Sequence, residues 1–198
     1  RACGDYRRAD AGGEPGRAAV SSPLSSPVFR ALWLATIVSN IGTWMHDVGA
    51  AWLMTSLSPS PLLVALVQAA TSFPLFLLAL PAGALADIVD RRKLLIGAQL
   101  WTLCAAGGLA AVTLAGWTSP ALLLGFTLAL ACGAAMSAPA FQASVPELVP
   151  REALTQAVAL NSTGINIARA IGPALGGVII AAAGSGAVFA LNAVSVTG

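Results

Sequence analysis

Apolar residues come in five long runs, each separated from the next by a short cluster of polar or turn-forming residues. The runs cover roughly 29–57, 61–86, 94–115, 119–144 and 153–183, and a sixth opens near 187. A helix that crosses a bilayer needs about 20 mostly apolar residues. The pattern therefore predicts five complete membrane spans and a truncated sixth. "SLSPSP" closes the first run, "GWTSP" the third and "GSG" the fifth, and Ser, Gly and Pro at such junctions are turn chemistry. Residues 1–27 are rich in Gly, Ala, Pro, Ser and Arg and short of large apolar groups, so this lead is expected to be disordered. The chain starts at Arg1 rather than Met and stops at Gly198 within an apolar stretch, which reads as a fragment or a truncated gene product.

Composition turns the pattern into a class. The 198 residues are 57% hydrophobic and only 9% charged, with a mean hydropathy of +0.82. A soluble domain carries about a quarter charged residues, so most of this chain has no water to face. The expected class is an all-α membrane protein. Nothing in it calls for a nucleic acid or a cofactor. Cys3, Cys104 and Cys132 are isolated and odd in number, with no CxxC and no nearby histidines, so neither a disulfide framework nor a metal site is expected. No signal peptide is visible either, because the first run is too long for one and lacks a cleavage site.

The net charge of +2 conceals a strong asymmetry. Arg1, Arg7, Arg8, Arg17 and Arg30 precede or open the first run; Arg91, Arg92 and Lys93 lie between the second and third; Arg151 lies between the fourth and fifth. The loops after runs one, three and five have no Lys or Arg. The positive-inside rule makes the basic side cytoplasmic, so the expected protein is multi-pass in the cell (inner) membrane, its N-terminus in the cytoplasm.

The tenth basic residue, Arg169, falls inside the fifth run, and Asp47 falls inside the first. A charge at bilayer depth costs at least about 2.5–3.5 kcal/mol, so each must face a partner or a wet cavity. Counted from the cytoplasmic ends, Asp47 lies about 27 Å in and Arg169 about 24 Å in, and similar depth permits an ion pair. Asn40, Trp44, Asp47 and Ala51 recur at helical spacing along one face of the first span, and Ser162, Asn166 and Arg169 do so in the fifth. Asn40, Trp44, Asp47, Asn166 and Arg169 are thus the candidate substrate or proton pathway. The competing readings of Asp47 are a structural pair and an interfacial position. His46, the sole histidine, projects about 100° from Asp47 on a helix, so the two do not share a site; it reads as a satisfied or interfacial histidine.

Two motifs remain. Gly83-x-x-x-Asp87 followed by Arg91-Arg92 resembles the signature Gly-x-x-x-Asp-Arg/Lys-x-Gly-Arg-Arg/Lys between the second and third spans of the major facilitator superfamily. Ile88 stands where that signature has its first basic residue, and Asp90 where it has its second glycine. A glycine lets a neighbouring helix approach, and a carboxylate at the membrane edge pairs with an arginine or caps a helix N-terminus. The plainer alternative is a solvated loop that only sets topology. Gly172-Pro173-x-x-Gly176-Gly177 is similar to the end of the superfamily's antiporter motif, although Ala159 and Ala168 occupy the positions of two upstream glycines. The text from residue 28 to 198 resembles the branch of enterobactin-type exporters and transmembrane secretion effectors.

That resemblance implies two six-span halves related by a pseudo-two-fold axis along the membrane normal, with a small-molecule substrate between them. Residues 28–198 would form the N-terminal half, whose partner, the C-terminal six-span half, is absent. It also implies proton-coupled antiport of a small amphipathic molecule, drug- or siderophore-like, by alternating access, with Gly83, Asp87, Arg91, Arg92, Gly172, Pro173, Gly176 and Gly177 serving conformational change. An intramembrane enzyme would need paired aspartates, Ser with His, or HExxH, and none is present. The remaining alternative is a non-transporting remnant or membrane scaffold.

Overall fold

A computed structural model describes residues 24, 26–148 and 153–196; within α-helices, the side chains of residues 79, 86–87, 140 and 142–148 lie outside the described set. The expected disorder of the lead and the connection around Arg151 therefore fall outside the described residues, except for Leu24, Ser26, Pro27 and Ala153 at their edges. The chain is all-helical: α1 Pro27–Leu57, α2 Pro61–Ile88, α3 Arg91–Leu114, α4 Pro120–Leu148 and α5 Leu154–Val196. The bounds of α1 to α4 and the start of α5 match the apolar runs to within a few residues, while α5 continues past 183 through the expected sixth run.

Local chemistry sets the helix ends. Ser26 caps α1, its hydroxyl accepting from the Phe29 N–H at 3.4 Å, and Pro27 occupies the first turn, where a missing N–H costs nothing. Pro61 and Pro120 open α2 and α4 in the same way. At the end of α3, Gly116 takes φ 73°, the Trp117 N–H donates to the Val112 carbonyl at 3.0 Å, and the Gly116 N–H to that of Thr113 at 3.1 Å. This is a Schellman stop built on a left-handed glycine. α5 is broken at Gly184, whose φ 78° and ψ 172° lie in a region open essentially to glycine alone. Two limbs result, 154–183 and 185–196, so the described chain has six helical segments. The expected "GSG" turn is narrower than its letters suggest, because Ser185 is already buried in the second limb.

Among the described residues, four helices are long and apolar enough to cross a membrane: α2, α3, α4 and α5. α1, expected as a fifth span, has 31 residues, about 46 Å at 1.5 Å per residue, so its length suffices. It falls short on apolarity because Arg30, Asn40, His46 and Asp47 interrupt it. The fold buries one face of it, chiefly against α5. α1 lies mainly against α5, α2 lies on α4, and α3 packs on both α4 and α5.

One core cluster draws on every helix: Ala50 and Met54 of α1, Val67 of α2, Leu109 and Ala110 of α3, Leu123 of α4 and Phe189 of the second limb. A second, at the far end, joins Phe29 to Ala153 and Ala157. Outside, large apolar side chains stand fully out, with Phe76 at 90% and Leu80 at 86% exposure. Such a surface suits lipid rather than water.

Candidate functional site

The seam between α1 and the first limb of α5 is built from small residues on one side and large ones on the other. Gly164, Ala168, Gly172 and Gly176, spaced every four residues, are buried along one face of α5. Opposite them lie Trp33, Ile37, Ile41, Trp44 and Met45 of α1. The Trp33 Nε1–H donates to the Leu160 carbonyl at 2.9 Å. A Cβ at Gly164 would stand 2.9 Å from Ile37 Cγ1; at Gly172, 2.5 Å from Trp44 Cβ and 3.2 Å from the Ile41 carbonyl; at Gly176, 3.2 Å from Met45 Cα. The pairs 33/160, 37/164, 44/172 and 45/176 rise together, so the two helices run parallel. At Gly172 and Gly176 the α5 backbone meets α1 backbone or Cβ, and at Gly164 it meets the Ile37 and Trp33 side chains, so glycine lets the two helices approach closely.

This seam brings the two expected polar stripes side by side. Asn40, Trp44 and Asp47 of α1 are half-buried, while Asn166 and Arg169 of α5 are exposed. The Arg169 guanidinium lies over the Trp44 ring, Cζ 5.5 Å from its centroid, within cation–π range. Asp47 follows Trp44 by three residues on the same helix, yet among the described residues no carboxylate comes within 4.0 Å of that guanidinium. The two amides bond within their own helices: Asn40 Nδ2 donates to the Thr36 carbonyl at 2.7 Å, Asn166 Nδ2 to the Ser162 carbonyl at 2.8 Å. The arrangement is an open strip rather than an enclosed pocket. The apolar groove of about 330 Å³ between α2 and α4, lined by Leu66, Phe73 and Leu128 among others, includes none of these residues.

The other motif lies at the α2–α3 turn. Asp87 is in the last turn of α2, and its side chain lies outside the described residues. Gly83 has no described atom within 4 Å of a would-be Cβ, so its openness does not serve a contact among these helices. Asp90, which replaces the signature's second glycine, caps α3: its carboxylate accepts from the Arg92 N–H at 2.9 Å. Arg91 is half-buried at the helix start, with Arg92 exposed. Pro173 is half-buried beside the seam, and Gly177 points away from it with nothing within 4 Å among the described residues.

His46 departs from its expected character. It is 4% exposed rather than interfacial, and both ring nitrogens are buried without a hydrogen-bond partner among the described residues. Sequence reasoning did not single out its neighbours on the second limb, Phe189 and Asn192. The signal was there in Asn192, a lone amide within an apolar run.

With this geometry in hand, the comparisons with known proteins are specific. The transmembrane secretion effector family matches residues 18–197, and the chain belongs to that family of major facilitator transporters, which are not enzymes. It is 29% identical to an uncharacterized MFS-type transporter, YfiS, of Bacillus subtilis over 86% of this chain and 41% of that protein. It is 30% identical to the staphyloferrin A transporter of Staphylococcus aureus over 71% of this chain and 36% of that one. With the enterobactin exporter EntS of Salmonella paratyphi A it shares 30% identity over 80% of this chain and 38% of the exporter. The chain thus spans about two fifths of the length of these curated relatives. No solved structure matches it. It is a multi-pass membrane protein.

Proposed function

We propose that residues 28–198 are the N-terminal half of an exporter that moves a small amphipathic molecule, drug- or siderophore-like, out of the cell by proton-coupled antiport and alternating access. One observation carries the reading: the strip formed by Asn40, Trp44, Asp47, Asn166 and Arg169 runs beside a glycine-lined seam and leaves Asn166 and Arg169 exposed on a long apolar helix. An arginine so placed needs a wet cavity or an anionic partner, and both are provided if the strip faces a second six-span half. Two of the relatives are named for the small molecules they move, a staphyloferrin A transporter and an enterobactin exporter, which supports a small-molecule substrate.

In this reading Trp44 and Arg169 meet substrate, and Asp47, one turn away, carries the coupling proton. Gly172, Pro173, Gly176 and Gly177 keep α1 and α5 close and let α5 bend. Gly83, Asp87, Arg91 and Arg92 hold the cytoplasmic edge against the second half in one of the alternating states. The basic α2–α3 turn lies on the cytoplasmic side, as does the N-terminus. The test is uptake of a siderophore or cationic dye into everted vesicles holding the two-half protein, with and without a proton gradient. Gradient-dependent movement abolished by Arg169→Gln is the expected result. A properly inserted protein that moves none of these compounds in either direction favours the scaffold reading instead.

A further inference from the structure

Three polar side chains are buried in the apolar interior of the bundle and find no partner among the described residues: His46 of α1, Thr127 of α4 and Asn192 of the second limb of α5. They are 4%, 2% and 4% exposed, and four of their atoms are orphaned: His46 Nδ1 and Nε2, Thr127 Oγ1 and Asn192 Oδ1. Buried polar atoms in native proteins are almost always paired, with protein or with ordered water. Four orphans from three helices in so small a protein call for a common explanation.

Their placement supplies one. Asn192 Oδ1 lies 2.9 Å from where a Cβ on Gly42 would be, and Gly42 is one helical turn before His46 on the same face of α1. The His46 ring packs on Phe189 with centroids 5.1 Å apart, and Phe189 is one turn before Asn192. One turn of helix is about 5.4 Å, close to two hydrogen bonds of about 2.9 Å laid end to end. Thr127 of α4 is bracketed by the same two clusters. Leu123, one turn before it, belongs to the cluster that contains Phe189, and Leu130, one turn after it, to the cluster that contains Ala193.

We propose that His46, Thr127 and Asn192 form an internal hydration site that holds a bound water molecule between α1, α4 and the second limb. The donor count fits. Neutral imidazole offers one N–H and one bare nitrogen, the threonine hydroxyl offers either role, and Asn192 Oδ1 only accepts. Water, with two donors and two acceptors, complements all three, and a buried water needs two to four such partners. The node is separate from the Asp47 strip, since His46 and Asp47 point about 100° apart on α1. It holds whatever the protein transports.

Because His46 is the only histidine, histidine labelled with ¹⁵N reports this site alone. Solid-state NMR of the full chain in phosphatidylcholine bilayers should show both imidazole nitrogens in the hydrogen-bonded shift range, with rapid polarisation transfer from water. Thr127→Val, nearly isosteric, should move the imidazole shifts and weaken that transfer, and Asn192→Leu should do so more strongly. The wild-type measurement stands even if Asn192→Leu fails to fold. Shifts of a non-bonded imidazole without water transfer would overturn the proposal, as would a direct His46–Asn192 hydrogen bond with no water signal.

Discussion

The Arg169 guanidinium sits over the Trp44 indole with Cζ 5.5 Å from the ring centroid, joining α5 to α1 across their parallel seam. The contact gives an intramembrane cation a neighbour that does not neutralise it. In the proposed transporter this leaves the Arg169 charge for an anionic or polar group arriving from outside these helices, without Asp47 as its permanent counter-ion.

This arrangement separates two roles for Asp47. If Asp47 carries the coupling proton, Asp47→Asn in the two-half transporter abolishes proton-driven efflux while exchange down a substrate gradient survives. If it only neutralises Arg169, Asp47→Asn depletes the protein and Arg169→Gln restores it. Since Arg169 rests on Trp44, the first outcome is expected, with expression near wild type. Efflux and exchange in vesicles, beside protein quantified by immunoblot, decide between them.

Trp44→Leu should remove the aromatic face while keeping the seam filled. A partly exposed cation–π contact is worth about 0.5–1 kcal/mol, so substrate affinity should fall a few-fold if the indole orients Arg169, and Trp44→Phe should recover part of it. Equilibrium binding of a radiolabelled or fluorescent substrate measures this.

The seam predicts a contrast between neighbouring glycines. Gly172→Ala places a Cβ 2.5 Å from Trp44 Cβ and should cost about 1–3 kcal/mol through overpacking. Gly177→Ala meets no described atom within 4 Å and should be neutral or slightly stabilising, since alanine is the better helix former. Thermal unfolding in detergent, followed by tryptophan fluorescence, should rank wild type and Gly177→Ala above Gly172→Ala.

Asp90 gives a test at the membrane edge. As the cap of α3 through the Arg92 N–H, it should tolerate Asp90→Asn or Asp90→Ser but lose about 0.5–2 kcal/mol on Asp90→Ala. Asp90→Gly, which restores the superfamily's residue, should cost only a few tenths of a kcal/mol. Transport unchanged by Asp90→Gly and stability lowered by Asp90→Ala together identify a cap rather than a switch.

Orientation is checked by single cysteines in a background where Cys3, Cys104 and Cys132 are replaced. Trp117 is 78% exposed in the α3–α4 loop, and Arg92 is exposed beside the α2–α3 turn. With the basic loops inside the cell, an impermeant thiol reagent added to whole cells should label a cysteine at 117 and spare one at 92. The reverse pattern inverts the topology.

The sequence by itself determined the number of helical runs, their ends and the class of protein. These follow from local quantities: apolar length, Gly and Pro at the junctions, and the side on which Lys and Arg collect. It also marked the two polar stripes, because period 3.6 is visible in Asn40, Trp44 and Asp47 and again in Asn166 and Arg169. Only the tertiary structure decided that α1 and α5 lie together, since their pairing depends on how Gly164, Gly172 and Gly176 receive Ile37, Trp44 and Met45, a match between surfaces over a hundred residues apart in the chain. For the same reason the sequence left Arg169's neighbour open: depth counted along each helix separately permitted Asp47, while the register of the seam, with Trp44 beside Gly172 and Met45 beside Gly176, chose Trp44. His46 shows the limit most plainly. A polar residue in an apolar run does not reveal which way it faces, and packing turned this one inward, toward Phe189 and the level of Asn192.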